Sequence, residues 1–184
     1  MLKMTKEMFR EAAERIMAAE SVAEPAAEPQ LQRPNAVIRN GGPILLRGLM
    51  LPLSPSMNTY WRTRVIVSKK RGGRAFASTY VSEDGVKYQE RIKELALVKK
   101  FMFNTEKRLR IDMVVCMPTR READIDNRIK PFLDALAVAG VYVNDEQVDV
   151  LLVRRGPIMK GGRIVVSIVE IQPDYDAVFR EAWG

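Results

Sequence analysis

Residues 108–118, RLRIDMVVCMP, set Leu109, Ile111, Met113, Val115 and Met117 at every second position, so all five fall on one face of an extended strand. A strand of this kind needs neighbours in a sheet and a layer over its apolar face. Upstream, PILLRGLMLPLSPSMN reads as a first strand ending at the punctuation between Pro52 and Pro55. RTRVIVSKKRGGRAFASTYVS then reads as a strand pair around Val65 to Val67 and Ala75 to Val81, joined by the basic turn Lys69, Lys70, Arg71, Gly72, Gly73, Arg74. Ser82 followed by Glu83 and Asp84 marks a helix start, with Val86, Ile92, Leu95, Ala96 and Val98 available as a core face.

Downstream, Ile129, Phe132, Leu133, Leu136 and Val138 mark a second helix that stops before Gly140. Pro131 has no amide hydrogen and fits only near a helix start, which predicts a beginning at about Asn127 or Arg128. Short strands are expected at Val141 to Val143 and Val148 to Val153, and GPIMKGG turns the chain into a last strand, Ile164 to Ile171. The order β, ββ, α, β, α, β, ββ predicts an α+β fold: a single domain with a mixed β-sheet and two main helices. Its expected span is 43–173. Residues 1–42 are expected to hold an amphipathic helix, with Met4, Met8, Ala12, Ile16 and Ala19 on one stripe, and a Pro/Ala/Glu linker. That helix packs on its own domain, supports a dimer or docks a partner. Residues 174–184 are a C-terminal tail with room for one small helix.

The chain contains no histidine. This removes Ser–His triads, Cys–His nucleophiles and His-based zinc sites, and leaves carboxylates, lysines and water for any enzymatic chemistry. Cys116 is the single cysteine, so there is no intramolecular disulfide, which suits a reducing cytoplasm. No signal-peptide core or membrane-spanning apolar run is present, so no membrane partner is expected. The net charge of +7 falls wholly on residues 41–184, because the first forty hold equal numbers of Lys/Arg and Glu. Such a balance favours a polyanionic partner, nucleic acid before membrane surface.

Against that background the segment EADIDNRIKPFLDALAVAGVYVNDEQ, residues 122–147, gathers acids. In an extended segment Asp124 and Asp126, two residues apart, aim to the same side, and adjacent like charges need a cation. Mg²⁺, or Mn²⁺ as a substitute, suits carboxylate and water oxygens, and Asp145 is a candidate third ligand. Lys130, about one turn beyond Asp126, would reach a scissile phosphate or an attacking water. Ordinary roles exist for each: Asp126 or Asn127 as a helix cap, Asp126 with Lys130 as a surface ion pair, Asp145 as a turn residue. Taken together in a basic, histidine-free domain, they point to metal-dependent phosphodiester chemistry.

MPTRREADIDNRIKPFLDALAVAGVYVNDEQV, preceded by LPLSPSMNTYWR and VSEDGVKYQE and followed by KGGRIVVSIVEI, resembles the RusA family of Holliday junction resolvases, in the family order, from about residue 49 to 172. The resemblance places the family's acidic metal-binding residues on Asp124, Asp126 and Asp145 and its catalytic lysine on Lys130. It implies a homodimer that nicks two opposed strands of a four-way junction with Mg²⁺, in DNA recombination and repair, in a bacterial, prophage or phage cytoplasm. Asn127 and Asn58 match asparagines of the family motifs as supporting or capping residues. The sequence departs from the family in Arg120-Arg121-Glu122-Ala123, where an unbroken basic run leads into the first aspartate, in a longer basic turn at 69–74, and in its first forty residues.

Arg62, Arg64, Lys69, Lys70, Arg71 and Arg74 form the densest basic patch, interleaved with Tyr60, Trp61, Phe76 and Tyr80, which serve either as core or as stacking platforms for unpaired bases. Arg121 and Arg128 are further candidate DNA contacts, Arg128 foremost by its closeness to the aspartates; Arg120, Arg154, Arg155, Lys160 and Arg163 extend the surface. Two competing functions remain open: a branched-DNA-binding accessory protein without turnover, and a less selective metal-dependent nuclease.

Overall fold

The computed structural model describes residues 41–68, 74–121 and 123–172. The sequence-predicted N-terminal helix and linker, the turn residues Lys69, Lys70 and Arg71, and the C-terminal tail lie outside the described residues, as does the side chain of Arg74. The elements are β1 (Gly41–Pro52), a helical turn α1 (Met57–Tyr60), β2 (Trp61–Ser68), β3 (Arg74–Val81), α2 (Glu83–Val98), β4 (Arg108–Cys116), α3 (Ile129–Val138), β5 (Val148–Arg155) and β6 (Arg163–Ile171). Two 3-10 turns, Asp126–Arg128 and Asp145–Gln147, stand immediately before α3 and β5.

The strand with the alternating pattern is the centre of the fold. β4 lies between β6 and β5 in a four-stranded sheet of order β1-β6-β4-β5, antiparallel to β6 and parallel to β5. The sheet is therefore mixed, as expected. Leu109, Ile111, Met113 and Val115 are buried in a cluster with Tyr88, Ile92, Leu95 and Ala96 of α2, Phe132, Leu133 and Leu136 of α3, and Ile164, Val166 and Ile168 of β6. Burying a side chain of this size contributes about 1.5–3 kcal/mol, so β4 and the two helices hold one another in place. The parallel β4–β5 pair requires a crossover, and α3 supplies it.

Ser82 caps α2 as its sequence predicts: its hydroxyl accepts from the Gly85 amide at 3.2 Å. Two expectations need correction. Val86, placed on the core face of α2, is 41% exposed, and Tyr88 takes that place, its hydroxyl donating to the Pro52 carbonyl at 2.9 Å. Val141 to Val143 do not form a strand; Tyr142 makes a single bridge to Thr105, and Val141 and Tyr142 are apolar because they are buried.

β2 and β3 stand apart as a two-stranded antiparallel sheet. Pairing runs from Trp61 opposite Val81 to Ser68 opposite Arg74. By alternation, one face carries Arg62, Arg64, Ile66, Phe76, Ser78 and Tyr80, and the other Trp61, Thr63, Val65, Ala77 and Thr79.

Candidate active site

The acidic segment enters α3 through a tight turn rather than an extended run. Ile125 has φ −74° and ψ −30°, and Asp126, Asn127 and Arg128 form the 3-10 turn. The extended geometry that would aim Asp124 and Asp126 to one side by alternation is thus not adopted. Asn127 ties the two together instead: its amide hydrogen is donated to Asp126 Oδ1 at 2.8 Å, and its Nδ2 approaches Asp124 Oδ2 at 3.4 Å. Pro131 is the third residue of α3, where its missing N–H has no intrahelical partner to lose.

Two arginines fix the backbone of this segment. Arg128 Nη1 donates to the Ser54 carbonyl at 2.7 Å, while Ser54 Oγ donates to the Arg128 carbonyl at 2.7 Å. Burial draws the Arg128 guanidinium below the usual arginine value. Arg155 Nη2 donates to the Ala123 carbonyl at 2.7 Å, just before Asp124. Both residues were read as candidate DNA contacts, and both have their guanidinium engaged with backbone. Arg120 and Arg121 remain exposed in the loop that follows β4.

Lys130, one residue into α3, does not turn back to Asp126. Its Nζ lies 2.5 Å from Asp145 Oδ2 and 2.5 Å from Asp134 Oδ1. Partial burial alone would lower its pKa, but the two carboxylates outweigh that and hold it above the ordinary value of 10.5. The charge, with the ion pairing that depends on it, is accordingly retained through neutral pH and lost only as pH rises through that elevated value. Asp145 is oriented by a capping box: Asn144 Oδ1 accepts from the backbone of the turn, and the Asn144 amide donates to Gln147 Oε1 at 2.7 Å. Gln147 Nε2 in turn donates to the carbonyls of Thr105 and Lys107.

Asp134 is a residue that sequence reasoning missed. It stands in the apolar run PFLDALAVAG, four residues after Lys130, and that i, i+4 spacing was the available signal. Beside it is Tyr60, read as a possible stacking platform but fully buried; burial and then the Asp134 charge push its hydroxyl pKa upward, and Gln89 Nε2 donates to that hydroxyl at 2.6 Å. The structure therefore brings Lys130, Asp134 and Asp145 together and joins Asp124 to Asp126 through Asn127. Among the described residues no group of three or more Cys, His, Asp or Glu side chains is close enough to hold a metal ion. By donor chemistry the set still fits a hard divalent cation: Asp124 and Asp126 are exposed carboxylates contacted by the weakly held Asn127 amide and a backbone N–H, which leaves oxygens for coordination. Asn58 is exposed on α1, which packs against the Asp126–Arg128 turn.

The basic candidates on the hairpin, Arg62 and Arg64, are exposed, and the Arg64 guanidinium lies 5.2 Å from the centre of the Tyr80 ring. Trp61, Phe76 and Tyr80 are also exposed.

Residues 52–169 match the family model described as Endodeoxyribonuclease RusA. The crossover junction endodeoxyribonuclease of Enterobacteria phage HK97 is 37% identical over 123 residues, covering 67% of this chain and 93% of that protein. The proteins of the same name from Escherichia coli and Enterobacteria phage 82 are 32% and 31% identical over the same coverage.

Proposed function

The chain belongs to the RusA family of endodeoxyribonucleases, and we propose that it resolves Holliday junctions and related branched DNA by paired phosphodiester hydrolysis, as a homodimer using Mg²⁺. The observation that carries this reading is Lys130 held at 2.5 Å from Asp145, one helical turn beyond the Asp124–Asp126 pair. Its carboxylates, lysine and surrounding fold belong to the same 52–169 segment that matches the family.

Asp124, Asp126 and Asp145 are the residues that would hold the cation. When bound, it supplies Lewis acidity, lowering the pKa of a coordinated water and offsetting charge on the phosphodiester. The rest falls to the chain itself. Lys130 presents a fixed positive charge where negative charge grows on the phosphate. Asn127 orients Asp124 and Asp126, and the Ser54–Arg128 and Ala123–Arg155 contacts keep the segment in place. Arg62, Arg64 and Arg121 attract the phosphate backbone, and Trp61, Phe76 and Tyr80 offer rings to bases left unpaired at a branch point. A two-fold dimer matches the near two-fold symmetry of a four-way junction and accounts for paired cuts. Residues 1–42 support that dimer or dock a protein partner, and the working compartment is the cytoplasm. No helix among the described residues is long and apolar enough to cross a membrane.

The decisive measurement is incubation of the full chain with a synthetic four-way junction and Mg²⁺, with flap and linear duplexes as controls. Symmetrical paired nicks in the junction, with linear duplex left intact, are expected. Binding without nicks over a range of metal and salt would establish a binding protein instead, and equal cutting of linear duplex a less selective nuclease.

A further inference from the structure

Lys130 carries one positive charge between two carboxylates. Its Nζ stands 2.5 Å from both Asp134 Oδ1 and Asp145 Oδ2, and those side chains are only 18% and 28% exposed, so water screens them incompletely. The two partners differ in how they are attached. Asp134 sits on the same helix as Lys130 at i+4, a spacing that keeps the pair in register whatever the neighbouring loops do. Asp145 arrives from a separate 3-10 turn.

Asp134 also has a buried neighbour. The buried Tyr60 hydroxyl lies beside it and is itself fixed by Gln89 at 2.6 Å. Gly85 fixes the ring: a Cβ there would come within 2.8 Å of Tyr60 Cδ2, so α2 lies directly against it. This supporting chain runs from α2 through α1 to α3 and ends at the lysine's second carboxylate.

A divalent cation and an ammonium on one carboxylate repel each other. Lys130 uses only Oδ2 of Asp145, so a cation on that carboxylate weakens the lysine's contact by charge repulsion and shifts the ammonium's hold toward Asp134. We propose that Asp134 is a positioning residue that retains the Lys130 ammonium when a divalent cation occupies Asp145, keeping the lysine at the site and setting how tightly the cation is held. The proposal rests on the assignment of Asp145 as a cation ligand made above.

Calorimetric titration of the full-length protein with Mn²⁺, in the absence of DNA, tests it with four proteins: wild type, Asp134→Asn, Lys130→Met and the double variant. In Asp134→Asn the ammonium has Asp145 alone, so it competes with the ion more strongly; the Mn²⁺ Kd is expected to rise about tenfold, the scale of one charged hydrogen bond. Lys130→Met removes the competitor and is expected to bind Mn²⁺ more tightly than wild type. With the lysine absent, Asp134→Asn has no further effect, so the double variant matches Lys130→Met. Two results would overturn the proposal: an unchanged Kd in Asp134→Asn, or the same tenfold loss in both backgrounds, which is the signature of a bare charge effect. If Asp134→Asn fails to fold by circular dichroism, Lys130→Met decides alone, and Mn²⁺ binding no tighter than wild type counts against the proposal. Absence of Mn²⁺ binding by the wild type would remove the assignment of the site itself, and the proposal with it.

Discussion

The β2–β3 hairpin and helix α3 treat their apolar side chains in opposite ways. α3 buries Phe132, Leu133 and Leu136 against β4 and α2, and its polar residues are drawn into defined ion pairs. The hairpin leaves Trp61, Phe76 and Tyr80 exposed and Val65 71% exposed, with arginines between them. A two-stranded ribbon without a packed face is marginal by itself. The Asp124–Asp126 segment proposed to hold the cation leads into the element braced by the core, whereas the arginines and rings proposed to attract and stack stand on the ribbon. Grip and chemistry should therefore be separable by mutation.

The largest separation is expected from Asp126→Asn. Cleavage of a four-way junction should fall by roughly a thousandfold, the scale of losing one group that stabilises transition-state charge, while junction binding in a gel-shift assay stays within a few-fold. Loss of binding in proportion to cleavage would show that the acid segment also grips DNA. A middle effect is expected from Arg62→Ala with Arg64→Ala. Binding should weaken and its dependence on log salt should become shallower by up to about 2 units if each guanidinium meets one phosphate, with the cleavage rate of saturated junction little changed. A collapse of that rate would make the hairpin part of the catalytic apparatus. The smallest effect is expected from Val65→Ser: a side chain so exposed should change stability by about 0.5 kcal/mol or less in denaturant unfolding. A loss well above 1 kcal/mol would reveal that another surface covers this face in solution.

Much of the framework is legible where a single requirement dominates the residue choice. The alternation in RLRIDMVVCMP has no other natural use than a strand with one covered face, and β4 occupies Arg108–Cys116. Ser82 before Glu83 and Asp84 marks a cap whichever tertiary partner α2 finds. Val141 to Val143 misled because burial and strand pairing select the same residue types, and Gly140 and Asn144 close around too short a run to extend a ladder. The lysine's partner was hidden for a different reason. A sequence displays Asp126 and Asp134 at equal distances from Lys130, and only the entry of the chain into α3 and the presence of Tyr60 make Asp134 the neighbour. Arg128 shows the same limit: its charge suggests phosphate, but Ser54, 74 residues upstream, provides a carbonyl to hold it.

The strand order β1-β6-β4-β5 carries a consequence for the newly made chain. β1 and β4 both pair with β6, the last strand of the described sheet, so neither edge is satisfied until residues 163–171 leave the ribosome. The contact between Ser54 and Arg128 joins the β1 side of the molecule to the acid segment. A product truncated before β6 would carry Asp124, Asp126, Asp145 and Lys130, yet lack the strand that joins β1 to β4.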